Sequence, residues 1–308
     1  MMQRMVYLNG RMVAEPEARI SIFDVGRLYG ATFYESIRTF GHKLFHLDEH
    51  LQRLRRSLGY AGILPQVEWK RVEEAVAKTL SANERLIDAE DDMWICVEVT
   101  PGTTFPMPLQ KQTDFTPTVF AYSAPLPHEE YAHCYTEGKA VVSSLYRHIP
   151  PQCFEQRCKH RARLPHFLSK LDARRVDPEA FAMMLDLDGF ITEGTGANIF
   201  FVLDETLITS TARNILEGIS RQYVIELATK IGIPVEQRDI DLYEAYNAEE
   251  AFWTTSSYCI LPICRIDGRK VGESYPGPAA SRLLEAWSRE VGVDIIGQSK
   301  RFAASRKR

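Results

Sequence analysis

Lys159 stands in the run RCKHRARL, residues 157–164, with Arg157, His160, Arg161 and Arg163 beside it. Neighbouring positive charge and burial both disfavour an ammonium ion. A lysine whose pKa falls becomes an amine able to form a Schiff base with a carbonyl. A basic surface loop would have the same composition, so the run alone leaves both readings open. Glu193 comes 34 residues later, in DLDGFITEGTGANIFFV, among small residues and just ahead of the apolar run Ile199–Val202. A structural glutamate at a hairpin exit is one reading, but a lone carboxylate where the chain is about to enter a core calls for a further one.

Three further stretches offer anion-binding chemistry. In LEGISRQYVIELATKIG, residues 216–232, Ile219, Tyr223, Val224, Leu227, Ala228 and Ile231 trace a helix face, with Gly218 and Ser220 at its start. Free N–H groups and the positive end of the dipole make such a start an anion site, to which Ser220 adds a hydroxyl. On its own Ser220 reads equally as an N-cap. WTTSS, residues 253–257, collects hydroxyls at the end of a strand, which suits a phosphate or a plain turn. Arg53 lies off the leucine stripe of its helix and by itself reads as a solvated arginine.

The elements that must position these residues are legible from period and turn chemistry. Asn9-Gly10 signals a hairpin between 5–9 and 11–13, and Gly41 turns a second one within 34–47. Leu47, Leu51, Leu54 and Leu58 mark one face of a helix that Gly59 or Gly62 can end. A helix over 67–81 and strands over 93–102 and 116–126 complete the first half. The second half reads as a strand at 139–146, a helix over 165–175 with Pro165 in its first turn, and an Asp188-Gly189 hairpin. After these come a helix at 220–231, a strand at 233–240, a helix at 241–250 and a strand from 251. Two prolines and no apolar period in 124–131 mark an interdomain loop between an N-terminal α/β domain, 1–123, and a C-terminal domain, 132–308. The fold class is α/β or α+β in two domains.

Composition narrows the function classes. The 308 residues are 45% hydrophobic and 25% charged, with net charge −4, as in a soluble globular protein without the basic field of a nucleic-acid binder. Only the tail SKRFAASRKR is basic, and it reads as a frayed, solvated terminus. No apolar run reaches the roughly 18 residues that span a bilayer, and no export signal opens the chain. The six cysteines form no C-x-x-C, so we expect reduced thiols, no metal and a cytoplasmic location.

In order and spacing these motifs resemble the class IV, fold-type IV family of pyridoxal-phosphate (PLP) enzymes, over about residues 5–270. That family holds branched-chain aminotransferases, D-amino-acid aminotransferases and aminodeoxychorismate lyase. The resemblance rests on ARISIFDVGRLYGATFYESIRTF, LDEHLQRL, CKHRARL, DLDGFITEGTGANIFFV, LEGISR and EAFWTTSSYCILPI. It implies a smaller N-terminal α/β domain and a larger C-terminal pseudo-barrel. It also implies that Lys159 bonds PLP and shuttles the proton, and that Glu193 pairs with the pyridine nitrogen. Arg53, Ile219, Ser220, Thr255 and Ser256 would hold the phosphate, and glycines beside Glu193 would let the backbone approach the cofactor. A carboxylate at that nitrogen keeps the ring protonated and electron-withdrawing. The implied reaction is ping-pong transamination between an amino acid and a keto acid, in a homodimer.

Substrate recognition departs from the family pattern. YESIR, 34–38, matches the L-branched-chain enzymes and brings in Tyr29, Tyr34 and Arg38. Their carboxylate-binding Tyr-x-Arg is replaced by Trp94-Ile95-Cys96, and the arginine and histidine of the D-amino-acid enzymes are missing from 103–108. The tyrosine that commonly follows the lysine by five residues is Leu164, and K-H-x-x-R-L resembles the lyase. Arg38, Arg161 or Arg163 could take the substrate carboxylate, and Ser257 is a further candidate contact. The readings are an aminotransferase of branched-chain L-amino acids, a lyase or D-amino-acid aminotransferase on the same cofactor, or a non-catalytic PLP-binding scaffold.

Overall fold

The computed structural model describes residues 3–103 and 115–306; residues 104–108 of the D-amino-acid comparison therefore lie outside the described residues. The chain forms two compact units, Met1–Leu126 with Cys158–Arg163 and Pro127–Arg157 with Leu164–Arg308. The first passage between them falls within 124–131, but that stretch is not an open loop. A strand runs through Pro125 and a helical turn begins at His128. The division expected at 132 also misses the return of the Lys159 segment to the first unit, a long-range pairing that leaves no local mark.

The first unit contains β1 (Met5–Leu8), β2 (Arg11–Ala14), α1 (Val25–Tyr29), β3 (Phe33–Phe40), β4 (Lys43–Leu44), α2 (Leu47–Tyr60), α3 (Trp69–Asn83), β5 (Met93–Thr100) and β6 (Thr118–Pro125). Its sheet is antiparallel, in the order β2-β1-β6-β5-β3-β4. Asn9 and Gly10 take φ of 46° and 92°, as a tight two-residue hairpin requires. Along β3, Tyr34, Ser36 and Arg38 stand opposite Glu98, Cys96 and Trp94 on one face. Glu35, Ile37 and Thr39 take the other face, because side chains alternate along a strand. Leu51, Leu54 and Leu58 are buried along α2.

β4 pairs only with the end of β3, which leaves the first half of that edge open. Residues 159–161 fill it. Tyr34 N–H donates to Lys159 O (3.2 Å), Arg161 N–H donates to Thr32 O (2.9 Å), and Phe33 bridges His160. Covering the edge satisfies its backbone groups and fixes the lysine against a strand.

The second unit contains α4 (His128–Tyr131), α5 (Cys134–Glu137), β7 (Lys139–Ser143), α6 (Leu164–Val176), β8 (Phe181–Leu185), β9 (Ile191–Gly194), β10 (Asn198–Leu203), β11 (Thr206–Thr209), α7 (Ile219–Lys230), β12 (Val235–Gln237), α8 (Leu242–Tyr246), β13 (Glu250–Thr255), β14 (Cys259–Ile266), β15 (Arg269–Lys270), α9 (Pro278–Val291) and α10 (Ile295–Arg306). Its nine-stranded sheet runs β12-β11-β10-β13-β14-β7-β8-β9, with β15 on β14. Ile191 N–H donates to Ile240 O (2.8 Å), so the last strand meets the chain just past the first and the sheet curls round. The basic tail is not frayed, contrary to expectation. It is helical through Arg306, with Phe302 and Ala303 buried, Phe302 stacked on His128 and Arg306 paired with Glu129. Its apolar residues share a helix face, which repays ordering the charged ones around them.

Candidate active site

Lys159 is held at both ends of its peptide. Its N–H donates to Ser57 Oγ on α2 (3.1 Å) and its carbonyl accepts from Tyr34. The side chain is half-buried, with Nζ 4.9 Å from the centre of the Tyr34 ring, and it has no ion-pair partner among the described residues. Its pKa is lowered by desolvation, which prevails over the opposing pull of Tyr34 and Glu35; Arg53 and Arg163 also push it down. The sequence-adjacent cations contribute less than expected, since Arg157 points to Glu155 and pairs there. His160 falls to about 4 through burial and then Arg163, so it is neutral near pH 7.

Tyr34 collects the neighbouring cations. Arg163 Nη1 donates to its hydroxyl (2.6 Å), and the Arg161 guanidinium lies 3.6 Å from its ring centre. Burial raises the phenol, but Lys159, Arg163 and Arg161 together turn the net shift downward. Arg161 is pinned by Glu98 (2.5 Å) and also reaches Tyr122 and Cys96. Burial works against this cation, yet Glu98, Cys96 and Tyr34 together raise its pKa. Arg38 stands apart from this cluster. It is buried, donates to Thr39 O (3.0 Å), faces Asp92 (3.9 Å) and stacks on Phe40. Tyr29 is exposed at the end of α1.

Arg53 is not solvated, as its position off the leucine stripe suggested. It is buried against β3, with Nε and Nη2 each 2.7 Å from Glu35, which also meets His50 Nδ1 at 2.7 Å. Desolvation would raise the Glu35 carboxyl, but Arg53 and then His50 hold it well below the usual carboxylate range. Burying that cation beside Lys159 is what lets it act on the amine.

In the second unit, Glu193 on β9 is buried, and its Oε2 accepts from Asn198 Nδ2 (3.0 Å) and Leu216 N–H (3.1 Å). His148 Nε2 lies 3.5 Å from Oε1. Asn198 Nδ2 also donates to Leu216 O, and Asn198 pairs with Thr254 across the sheet. It therefore ties together the Glu193 turn, the loop into α7 and the end of β13. Gly218 caps α7 with no side-chain cap bond; Ser220 sits a turn position inside the helix and is not the N-cap. A Cβ on Gly218 would lie 2.1 Å from Asn198 Oδ1, so only glycine fits. Arg221 anchors the helix through Ser210 O and Gln237 Oε1. Among the described residues, no side chain caps the first N–H groups of α7, where Ile219 and Ser220 stand.

Thr255 Oγ1 accepts from Ser257 and Tyr258 N–H, which folds the hydroxyl-rich turn that also carries Ser256. Gly194 is bare because of a protein neighbour: a Cβ there would sit 2.8 Å from the Trp253 ring, whereas Gly196 faces open space. All six cysteines are free. His148, His166 and Glu193 form the one metal-type side-chain cluster among the described residues.

Sequence reasoning did not single out Glu35, His50, Glu98, Asn198 or His148 as members of these constellations. Asn198 had a signal, its fixed place five residues after Glu193. Glu35 and Glu98 reveal themselves only when strand register brings them to their arginines.

The Amino-transferase class IV family matches residues 32–266. A Methanocaldococcus jannaschii protein provisionally named branched-chain-amino-acid aminotransferase is 32% identical over 281 residues, covering 91% of this chain and 94% of that one. An aminodeoxychorismate lyase of Bacillus subtilis is 30% identical, covering 93% and 94%. Among solved structures, a branched-chain aminotransferase from Thermoproteus uzoniensis with norvaline has a TM-score of 0.82 at 27% identity, covering 97% of each chain.

Proposed function

The chain belongs to the class IV aminotransferases, the PLP-dependent transaminases, and on that premise we propose that it transfers the amino group of a branched-chain L-amino acid to a 2-keto acid. Lys159 is the residue that bonds the cofactor. The observation that carries this is its placement: the peptide is pinned to Ser57 and Tyr34, and among the described residues the desolvated amine has no carboxylate partner, which favours the neutral, reactive form.

The donor set fits the cofactor. An amine without an ion pair suits its aldehyde, a buried carboxylate suits its ring nitrogen, and an uncapped helix start beside a hydroxyl turn suits its phosphate. Bound PLP supplies the aldehyde carbon and a ring that draws electrons from the Cα–H bond. Lys159 would take the proton from Cα of the donor amino acid and, in the return half of the exchange, deliver one to the corresponding carbon of the acceptor keto acid. Glu193, oriented by Asn198 and Leu216, keeps a proton on the ring nitrogen. Ile219, Ser220, Thr255 and Ser256 would receive the phosphate; in the first unit, Arg53 is the cation proposed for the same group.

We assign the substrate carboxylate to Arg163 with the Tyr34 hydroxyl. Arg163 Nη1 meets that hydroxyl at 2.6 Å, and Tyr34 is also the residue that the Lys159 carbonyl and amine face, whereas Arg161 is held by Glu98 and Arg38 by Thr39, Asp92 and Phe40. Tyr29 and Ser257 are left as outer contacts. The branched-chain assignment draws on Tyr34–Arg38 and on the names of the relatives; the lyase relative at similar identity supports the alternative. Assay with L-leucine and 2-oxoglutarate decides between them. Glutamate formation supports the transaminase, and pyruvate release from aminodeoxychorismate without glutamate overturns it. D-Alanine in place of L-leucine tests handedness.

Self-association into a homodimer is supported by Leu164, Phe167 and Leu171, exposed on one face of α6 at spacings of three and four. Light scattering at the mass of two chains is the expected result. Six free thiols, and no helix long and apolar enough to cross a membrane among the described residues, support a reducing cytoplasm.

A further inference from the structure

His148 belongs to none of the motifs, yet its buried ring faces Glu193. It follows β7, and its backbone N–H donates to Leu185 O (2.8 Å). Nδ1 faces Asn214 Oδ1 at 3.3 Å, and Nε2 faces Glu193 Oε1 at 3.5 Å with no other polar partner. Both ring nitrogens therefore look at oxygens. A neutral imidazole has one donor and one acceptor, so it can satisfy only one of them, and only an imidazolium satisfies both. Glu193 Oε2 is already filled by Asn198 and Leu216, which leaves Oε1 as the oxygen that His148 and any further donor must share.

We propose that His148 is a positioning residue which competes, in its protonated form, for the Glu193 oxygen that receives the cofactor's ring N–H, so that acid weakens cofactor binding through this histidine. The proposal rests on the reading of Glu193 as the ring-nitrogen partner. One carboxylate facing two cations loses attraction for each, and the coupling is reciprocal: the bound ring discourages protonation of His148, and protonated His148 discourages the bound ring. Among the described residues, His166, whose ring meets that of His148 edge-on at 5.4 Å, and Arg221, which feels the Glu193 charge while bonded to Ser210 and Gln237, are titratable or charged neighbours of the pair.

Pyridoxamine 5′-phosphate is the suitable probe, because it presents the ring and phosphate without an aldehyde for Lys159. Its dissociation constant from the apo-protein is measured between about pH 8 and pH 5, where histidines titrate, for wild type, His148→Gln, His166→Gln and Glu193→Gln. Titrations of the probe itself and of the phosphate site cancel in the ratio of wild type to variant. The wild-type to His148→Gln ratio is expected to rise at least about tenfold toward acid, the effect of one unit of coupled shift. The wild-type to His166→Gln ratio stays flat. A flat ratio for His148→Gln overturns the proposal, provided Glu193→Gln binds weakly. Unimpaired binding by Glu193→Gln overturns instead the underlying role of Glu193. A measurement without any variant guards against misfolding: imidazole NMR titration of the wild type should show the His148 midpoint falling when the probe is added. An unmoved midpoint also contradicts the proposal.

Discussion

Glu35→Gln removes one charge from a buried cluster while keeping its shape. Glu35 and Arg53 are almost inaccessible, joined by two bonds of 2.7 Å, and His50 adds a third at the same distance. Glutamine offers one acceptor oxygen in place of two and no charge, so the buried guanidinium loses its counter-charge and the two-oxygen geometry of its bonds to position 35. Breaking such a pair from one side costs about 3–5 kcal/mol. Urea unfolding followed by circular dichroism should show a midpoint lowered by that amount divided by an unchanged m-value. The double variant Glu35→Leu/Arg53→Met should recover most of the loss, because neither charge is then stranded. The pH dependence has a definite sign. The folded-state pKa of Glu35 lies below its unfolded value. Its stabilisation is therefore full above about pH 4.5 and is lost as pH falls through the folded value. The gap between wild type and Glu35→Gln should be constant near neutrality and shrink in acid. A loss under about 1 kcal/mol, or a gap that grows in acid, would refute the reasoning.

Asn198→Ala removes a charge-assisted bond to Glu193 and the bond to Leu216 O, so pyridoxamine phosphate should bind about 10–100-fold more weakly by titration. Gly194→Ala drives a methyl into Trp253 and should cost about 1–3 kcal/mol in urea unfolding, whereas Gly196→Ala, facing open space, should be nearly silent. Arg163→Ala should raise KM for the keto acid at least about tenfold and more than it lowers kcat, as loss of uniform binding does; Arg38→Met should leave KM unchanged.

What could be read in the sequence was whatever depends on neighbours along the chain. Asn9-Gly10, the leucine stripe of α2 and the apolar face of α7 each carry their conformation in a few adjacent residues. Family resemblance added Lys159 and Glu193 through spacing. Contacts made by folding back were out of reach. The open edge of β3 is completed by residues more than a hundred positions later, and nothing local to Lys159 announces it. Arg53 was misread because a helical wheel shows which side is leucine-rich but not that β3 offers a glutamate on the next side. The charged tail looked solvated because its basic residues outnumber Phe302 and Ala303, which seat it. Ser220 looked like a cap because serine favours that position, yet the close approach of Asn198 demands glycine there.

The whole proposed chemistry requires the cofactor to be bonded by the Lys159 amine and no other. Reduction of the PLP-loaded protein with borohydride, followed by proteolysis and mass spectrometry, reads the attachment point directly. A phosphopyridoxyl group on Lys159 is expected, and none on Lys-containing peptides of Lys159→Ala. A stoichiometric adduct on another lysine of the wild type would contradict it.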